Sequence, residues 1–160
     1  MSASHHRSFL LVFRLLMAWT FIYAASHQVF DPKFSIVGFL NSTKTFHGFF
    51  HLFTDPAIAP TVGFLVAYGH LLIGLSLLTG LLVRVSSLCG SAILLMYWLA
   101  HMDWPYIENT NNFIVDYHIV YIAVLLYCAV FQAGHVFGLD GVAARLNFVS
   151  VHPSLKAIID

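Results

Sequence analysis

Charged residues are scarce in this sequence of 160 residues: they make up 9% of it, against roughly 25% in soluble domains. Seven basic and seven acidic residues balance, so there is no positive field to attract nucleic acid, and we expect no nucleic-acid partner. The chain is instead 59% hydrophobic, with a mean hydropathy of +0.83. This composition indicates an integral membrane protein surrounded by the lipid bilayer.

Cysteine is equally scarce. Cys89 and Cys128 lie inside apolar segments and form no C-x-x-C motif, so neither a disulfide nor an iron–sulfur site is predicted. The sequence also lacks a glycine-rich phosphate loop, a nucleophile elbow and a zinc-protease motif. Any cofactor must therefore be held by the ten histidines, and we predict no metal site.

Four apolar segments are each long enough to cross a hydrocarbon core, which takes about 20 helical residues. They lie near residues 8–30, 61–83, 87–104 and 113–137. Because the bilayer core offers no water to backbone N–H and C=O groups, these segments are predicted to be helices. The expected fold is an all-α bundle of four transmembrane helices that forms a single domain over residues 1–160.

The first segment contains Arg14, Tyr23 and His27, and no small-residue cleavage site follows it. We therefore expect it to remain as helix one rather than to be removed as a signal peptide. A charge at the centre of a membrane helix is costly, so we expect the long stem of Arg14 to carry its charged end to the inner interface.

Basic residues in short flanking loops predict the orientation, because they accumulate on the cytoplasmic side. If both termini are cytoplasmic, the inner flanks hold Arg7, Arg84, Arg145 and Lys156, and the outer connections hold only Lys33 and Lys44. We predict a multi-pass protein of the cell membrane with both termini in the cytoplasm.

The connection between the first two segments is rich in phenylalanine but too interrupted by polar residues to span the membrane. We predict one or two short helices that lie at the interface and roof the outer end of the bundle. Within it, His47 and His51 are four residues apart, so they would point the same way on a helix.

Polar residues flank the connection between the last two segments: His101 and Asp103 close the third, and Asp116 and His118 open the fourth. Positions two apart on a helix project about 200° from one another, so we expect no direct pair between Asp116 and His118. A carboxylate near a helix start caps free N–H groups, which explains Asp116 without any function. Because a membrane-embedded histidine usually faces the bundle interior, we predict an outer cavity that is lined by His118 and roofed by residues 33–60.

Several stretches resemble the DoxX superfamily: "RLL" near the start of helix one, "DP" after its end, "IGLSLLTGLLVR", "NNFIVDYHIVY" and "GHVFGLDG". The resemblance covers roughly residues 10–141. It is strongest to the DoxD-type membrane subunit of thiosulfate:quinone oxidoreductase. Many DoxX relatives carry a glutamate on helix two where this chain has His70, so an acid function at that position is not transferred.

The resemblance implies a membrane redox subunit that passes electrons from a small sulfur anion, such as thiosulfate, to quinone as the acceptor. The residues expected to handle protons and complete the catalytic pocket are His118, Asp116, His101 and Asp103. The anion is expected at Lys44, His47 and His51. The quinone pocket is expected to be lined by Tyr23, His27, His70, Asn112 and Tyr121.

Two alternatives stay open. A DoxX-like subunit can stabilise or anchor a larger respiratory or photosynthetic assembly without catalysing a reaction, and in either case we expect a second membrane or membrane-associated subunit. A third and weaker interpretation places a haem b between His70 and His118, because helical bundles hold such cofactors between facing helices.

Overall fold

The computed structural model describes residues 3–159 and is mostly helical. Three helices are long and apolar enough to cross a membrane: α1 (Ala3–Val29), α4 (Ala59–Thr79) and α5 (Val83–Ala100). A fourth apolar helix, α6 (Tyr117–Val130), has 14 residues. At the rise of an α-helix this is about 21 Å, less than the roughly 30 Å of a hydrocarbon core. The chain is therefore a membrane protein with three candidate spans, and the fourth span stays a prediction.

Short helices fill the rest of the chain. Between α1 and α4 lie α2 (Val37–Asn41), α3 (His47–His51) and a 3-10 turn (Leu52–Thr54). The predicted short helices are thus present, whereas their position at a membrane interface stays a prediction. After α6, a 3-10 turn (Ala133–His135) leads to three more helices, which are α7 (Asp140–Ala143), α8 (Asn147–Ser150) and α9 (Pro153–Ile159).

The connection between α5 and α6 forms a small antiparallel sheet, so the prediction of an all-α chain was wrong there. Its strands are β1 (Met102–Asp103), β2 (Tyr106–Ile107) and β3 (Asn109–Phe113), in that order across the sheet. The buried side chains of Met102 and Ile107 are paired across β1 and β2. Hydropathy assigned residues at both ends of the sheet to helices, because strands this short show no alternation of apolar and polar side chains.

Two predicted boundaries were wrong for the same reason, which is that capping residues, not hydropathy, fix where these helices begin or end. The fourth segment was predicted over 113–137, but α6 begins only after Asp116, whose side chain accepts a hydrogen bond from the His118 N–H. The second was predicted to reach residue 83, but α4 ends at Gly80, which adopts a left-handed backbone with φ of 72°.

Helix α1 runs antiparallel to α4, and α5 runs antiparallel to α6, around a core that includes Phe21, Leu77 and Leu125. Glycine permits the closest helix contact. A Cβ on Gly74 would lie 2.6 Å from the Ile22 side chain, so α1 and α4 approach to backbone distance there. We call the end of the bundle that carries β1 to β3 the sheet end.

Arg14 is buried at the opposite end of the bundle with 1% of its surface exposed, and the expectation that its charged end reaches the inner interface stays a prediction. Its Nη1 donates hydrogen bonds to the carbonyl oxygens of Ala133 (2.6 Å) and Val136 (2.9 Å), and its Nη2 donates to that of Phe137 (3.3 Å). These carbonyls lie in and just after the 3-10 turn that follows α6, and that of Ala133 also accepts the N–H of Val136 (3.2 Å). The guanidinium is therefore stabilised by the backbone of a segment more than 100 residues away in sequence.

Asp140 completes this cluster. Its carboxylate accepts hydrogen bonds from the N–H groups of Leu82 (2.7 Å) and Val83 (3.0 Å) at the start of α5. Burial raises the pKa of this carboxyl, and the two backbone donors oppose that shift because they favour the charged form. We call the cluster the polar lock, and it consists of Arg14, Asp140, Gly80, Gly134 and Gly138. It fastens the α4–α5 turn to the chain that follows α6.

Candidate functional site

A cavity of about 530 Å³ lies inside the sheet end. Its walls come from α1, α4, α5 and the start of α6, and residues 34–53 cover it. Most of the lining is apolar, and the exceptions include Gln28, His70, Tyr97, His101 and His118. The cavity has His118 in its wall and the phenylalanine-rich segment above it, as predicted, whereas its place at the outer side of the membrane stays a prediction.

Three imidazoles meet at this cavity, each oriented through its Nδ1 atom. That atom lies 2.6 Å from the carbonyl oxygen of Val66 in His70 and 2.8 Å from that of Tyr97 in His101. A carbonyl oxygen only accepts, so Nδ1 carries the proton in both rings. When neutral, each ring therefore keeps a lone pair on Nε2, and this atom has no hydrogen-bond partner among residues 3–159.

His118 is oriented by a carboxylate instead. Its Nδ1 lies 2.5 Å from Oδ2 of Asp116, and both side chains are buried, with 4% and 0% exposed. The expectation that these two residues form no direct pair was therefore wrong. It assumed that both lie on the helix, whereas Asp116 is the N-cap with an extended backbone (φ −134°, ψ −169°). From there its carboxylate folds back over the first turn and contacts both the N–H and the ring of His118.

Tyr97 links the three rings. Its ring centroid lies 5.6 Å from that of His70, 6.2 Å from His118 and 6.5 Å from His101. The His101 and His118 rings are 5.2 Å apart, and Tyr117 stacks on His118 at 4.1 Å. Side chains of α4, α5 and α6 thus form one aromatic cluster along the cavity wall.

Sequence reasoning missed two cavity residues. Tyr97 precedes His101 by one helical turn and so shares its face, which is a signal that the spacing contained. The side-chain amide of Gln28 lies within hydrogen-bonding reach of the Tyr97 hydroxyl, and its Oε1 is buried with no hydrogen-bond partner. An unpartnered buried acceptor in a cavity wall suits a ligand that donates a hydrogen bond.

The structure does not bring the other predicted pocket residues to the cavity. Tyr23 and His27 pack on each other at 4.6 Å on an exposed face of α1. Asn112 donates to the Ile107 carbonyl oxygen (3.3 Å), and Tyr121 packs against the core. The cavity side of α1 is formed by Ala24 and Gln28 instead, because positions four apart share a face.

The residues predicted to bind an anion lie outside the cavity. Lys44 pairs with Asp103 at 2.5 Å, and both side chains are exposed beside a depression of about 190 Å³. His47 and His51 are exposed, with ring centroids 5.4 Å apart. Within the described part of the chain, no three His, Cys, Asp or Glu side chains are grouped so as to hold a metal ion.

Comparison with known proteins identifies one family. The sequence profile of the DoxX family matches residues 9–102, which include Arg14, His70 and His101 but end before Asp116 and His118. Neither the curated proteins nor the solved structures contain a match. The matched segment is more than half of the chain, and it contains all three candidate spans except the first few residues of α1. The chain therefore belongs to the DoxX family of membrane proteins.

Proposed function

We propose that this DoxX protein binds the head group of a membrane quinone in the histidine cavity and serves as the membrane subunit of a quinone-reducing system. One observation carries the proposal. Three imidazoles whose Nδ1 atoms are already engaged line one largely apolar cavity of about 530 Å³. A flat apolar ring with oxygen atoms at its edge is the class of ligand that such a cavity suits.

Imidazole chemistry matches both redox forms of the ligand. A neutral ring accepts a hydrogen bond at Nε2 from a quinol hydroxyl, and a protonated ring donates one from Nε2 to a quinone carbonyl oxygen. Reduction of a quinone takes two electrons and two protons, and each carbonyl oxygen gains one proton. Histidine exchanges a proton near neutral pH, so it is suited to this transfer.

His118 is the proton donor we favour because Asp116 supports it. The carboxylate holds Nδ1–H and thereby keeps Nε2 available to the cavity. It also stabilises the imidazolium that exists before the proton is passed on. His101, whose ring lies 5.2 Å from that of His118, is placed to serve the second oxygen.

The electron donor we propose is a small sulfur anion such as thiosulfate. Two thiosulfate ions join through a new S–S bond to give tetrathionate and release the two electrons. No Lys or Arg is among the described residues that line the cavity, and the nearby Lys44 is already paired with Asp103. We therefore assign the oxidation step to a second subunit and the quinone step to this chain.

Quinone binding by the purified protein tests the proposal. We expect saturable binding of decylubiquinone in nanodiscs and at least a roughly tenfold weaker affinity after His118→Ala. His27→Ala is the matched control, since His27 is an exposed histidine of α1, and it should bind like wild type. Wild-type protein that retains no quinone through purification and binds none would overturn the proposal.

A non-catalytic subunit of a larger respiratory or photosynthetic complex is the second candidate. It is favoured by the lack of any metal-holding group among residues 3–159, where the two cysteines are also free. This candidate predicts obligatory co-purification with an active complex and no quinone binding by the isolated chain. A haem b loses support, because the Tyr97 ring packs against both His70 and His118.

A further inference from the structure

Helices α4 and α5 form a hairpin whose polar contacts lie at one end. Residues 80–82 connect them at the polar lock, and the Ser86 hydroxyl donates to that of Ser76 (2.5 Å). Further along, Gly69 still approaches α5, because a Cβ there would lie 3.6 Å from Ile93 Cδ1. The hairpin is therefore closely packed from the lock as far as Gly69.

Beyond Gly69 the cavity separates the two helices. Val62 and Val66 line it from α4, and Ile93 and Met96 line it from α5. We call the gap between these four residues the α4–α5 mouth. Met96 is 41% exposed and also lines the cavity, so a single side chain separates the cavity from the surface of the hairpin here.

The surroundings of the mouth are apolar. Met96 lies on a candidate membrane span, and its neighbour Leu95 is 42% exposed on the same helix. Phe49 and Phe53 cover the mouth from the α2–α3 segment. Exposed apolar side chains on a spanning helix face lipid chains, since water does not reach them in the bilayer. The side chains that separate the histidines from the surroundings at the mouth are thus apolar on a candidate membrane span.

We infer that the α4–α5 mouth is a lateral portal for the tail of a lipid quinone, which enters from the bilayer and leaves its tail between Val62 and Met96. This inference rests on the proposed function and defines its substrate class as a quinone with a long apolar tail. The head lies at the imidazoles, and the tail occupies the four-residue gap.

A neighbouring depression of about 640 Å³ is a poorer route for such a tail. It shares Gln28 and Phe34 with the cavity, but Asp31 and Thr54 are also in its wall. A methylene group of the tail that lies next to these polar groups gains less free energy from burial than one that lies in the apolar mouth. The tail is therefore assigned to the mouth.

Binding measurements with two ligands test the portal. The probes are decylubiquinone and the same ring without a tail, each titrated into protein in phosphatidylcholine nanodiscs. Met96→Trp narrows the mouth from α5 and Val62→Trp narrows it from α4. Leu65→Trp is the matched control, because Leu65 is 62% exposed on α4 and does not line the cavity.

We expect both mouth variants to weaken decylubiquinone binding at least about tenfold and to leave the tail-less ring unaffected. Leu65→Trp should change neither affinity. Thermal unfolding confirms that each variant folds, and the two mouth variants come from different helices, so one misfolded protein does not end the test.

The remaining outcomes are distinct. If the tail-less ring binds and the mouth variants leave decylubiquinone affinity unchanged, the portal is overturned and the proposed function stands. The portal is also overturned, and the proposed function also stands, if the variants lower the affinity for both ligands equally. In that case the added tryptophan side chain disturbs the head-group site. If neither ligand binds to wild type, the proposed function fails, and the portal fails with it.

Discussion

The two ends of the bundle both bury polar side chains in an apolar protein, but they use them differently. At the polar lock, Arg14 and Asp140 direct their hydrogen bonds to backbone groups of the same chain. At the sheet end, His70, His101 and His118 line a cavity, and each engages its Nδ1 atom in a hydrogen bond. Buried polar groups that the chain itself satisfies serve the fold, whereas half-satisfied groups beside a cavity suit a ligand.

Removing Arg14 should have the largest effect on stability. Arg14→Ala removes the side-chain donor of three carbonyl oxygens, of which only that of Ala133 keeps a backbone donor within residues 3–159. Since a buried acceptor without a partner costs about 1–3 kcal/mol, we expect a loss of about 3–5 kcal/mol. The free energy of unfolding in detergent measures it. Arg84→Ala is the control, because Arg84 is exposed and makes one long contact to the Ala157 carbonyl oxygen. Equal losses in the two variants would contradict the polar lock.

Adding a methyl group inside the polar lock should have the next largest effect. A Cβ on Gly134 would overlap the Asp140 carboxylate, so Gly134→Ala should cost about 1–3 kcal/mol as an overpacked site. Gly38→Ala is the matched control, because nothing lies within 4 Å of a Cβ at that position. Thermal unfolding of the two variants compares them directly. A Gly134→Ala protein as stable as Gly38→Ala would show that the lock tolerates rearrangement.

Asp116 combines the two uses of a buried polar group, because it stabilises the fold by capping α6 and also orients His118 at the cavity. Asn caps helices about as well as Asp, so Asp116→Asn should change the free energy of unfolding by less than about 1 kcal/mol. It should nevertheless lower quinone-linked turnover roughly 10–100-fold, because a neutral amide does not stabilise the His118 imidazolium. Asp116→Ala loses the cap as well and separates the two effects. Full turnover in Asp116→Asn would confine Asp116 to capping.

Gln28 should show the smallest effect on stability. Its buried Oε1 has no hydrogen-bond partner, so Gln28→Leu should be neutral or slightly stabilising. If Gln28 binds a quinol hydroxyl, the same variant should lower quinol affinity severalfold, which a binding titration measures. Loss of stability together with unchanged affinity would place Gln28 among the structural residues.

Part of this architecture could be predicted from local sequence. The apolar runs predicted four helices from composition alone, and three of these are long enough to span a membrane. The phenylalanine-rich cover and the position of His118 in a cavity wall followed from the cost of polar groups in lipid. These features depend on single segments and their solvent.

Features that depend on distant partners could not be predicted in this way. The carbonyl oxygens that bind Arg14 lie 119 and 122 residues away, and no local pattern announces them. The Asp116–His118 pair required the helix boundary to within one residue, which is the least reliable part of a sequence-based assignment. The sheet was missed because β1 and β2 have two residues each.

The hairpin of α4 and α5 has a mechanical consequence. If the mouth widens by a rotation of α4 about the turn at residues 80–82, the polar lock is the fixed end of that rotation. Helix α4 has 21 residues and is thus a lever about 30 Å long. A pivot of about 5° at the fulcrum displaces its far end by roughly 3 Å, close to the thickness of an aromatic ring. In such a rotation, the hydrogen bonds of Asp140 fix one end of the hairpin, and the displacement is largest near the other end, where Met96 lies.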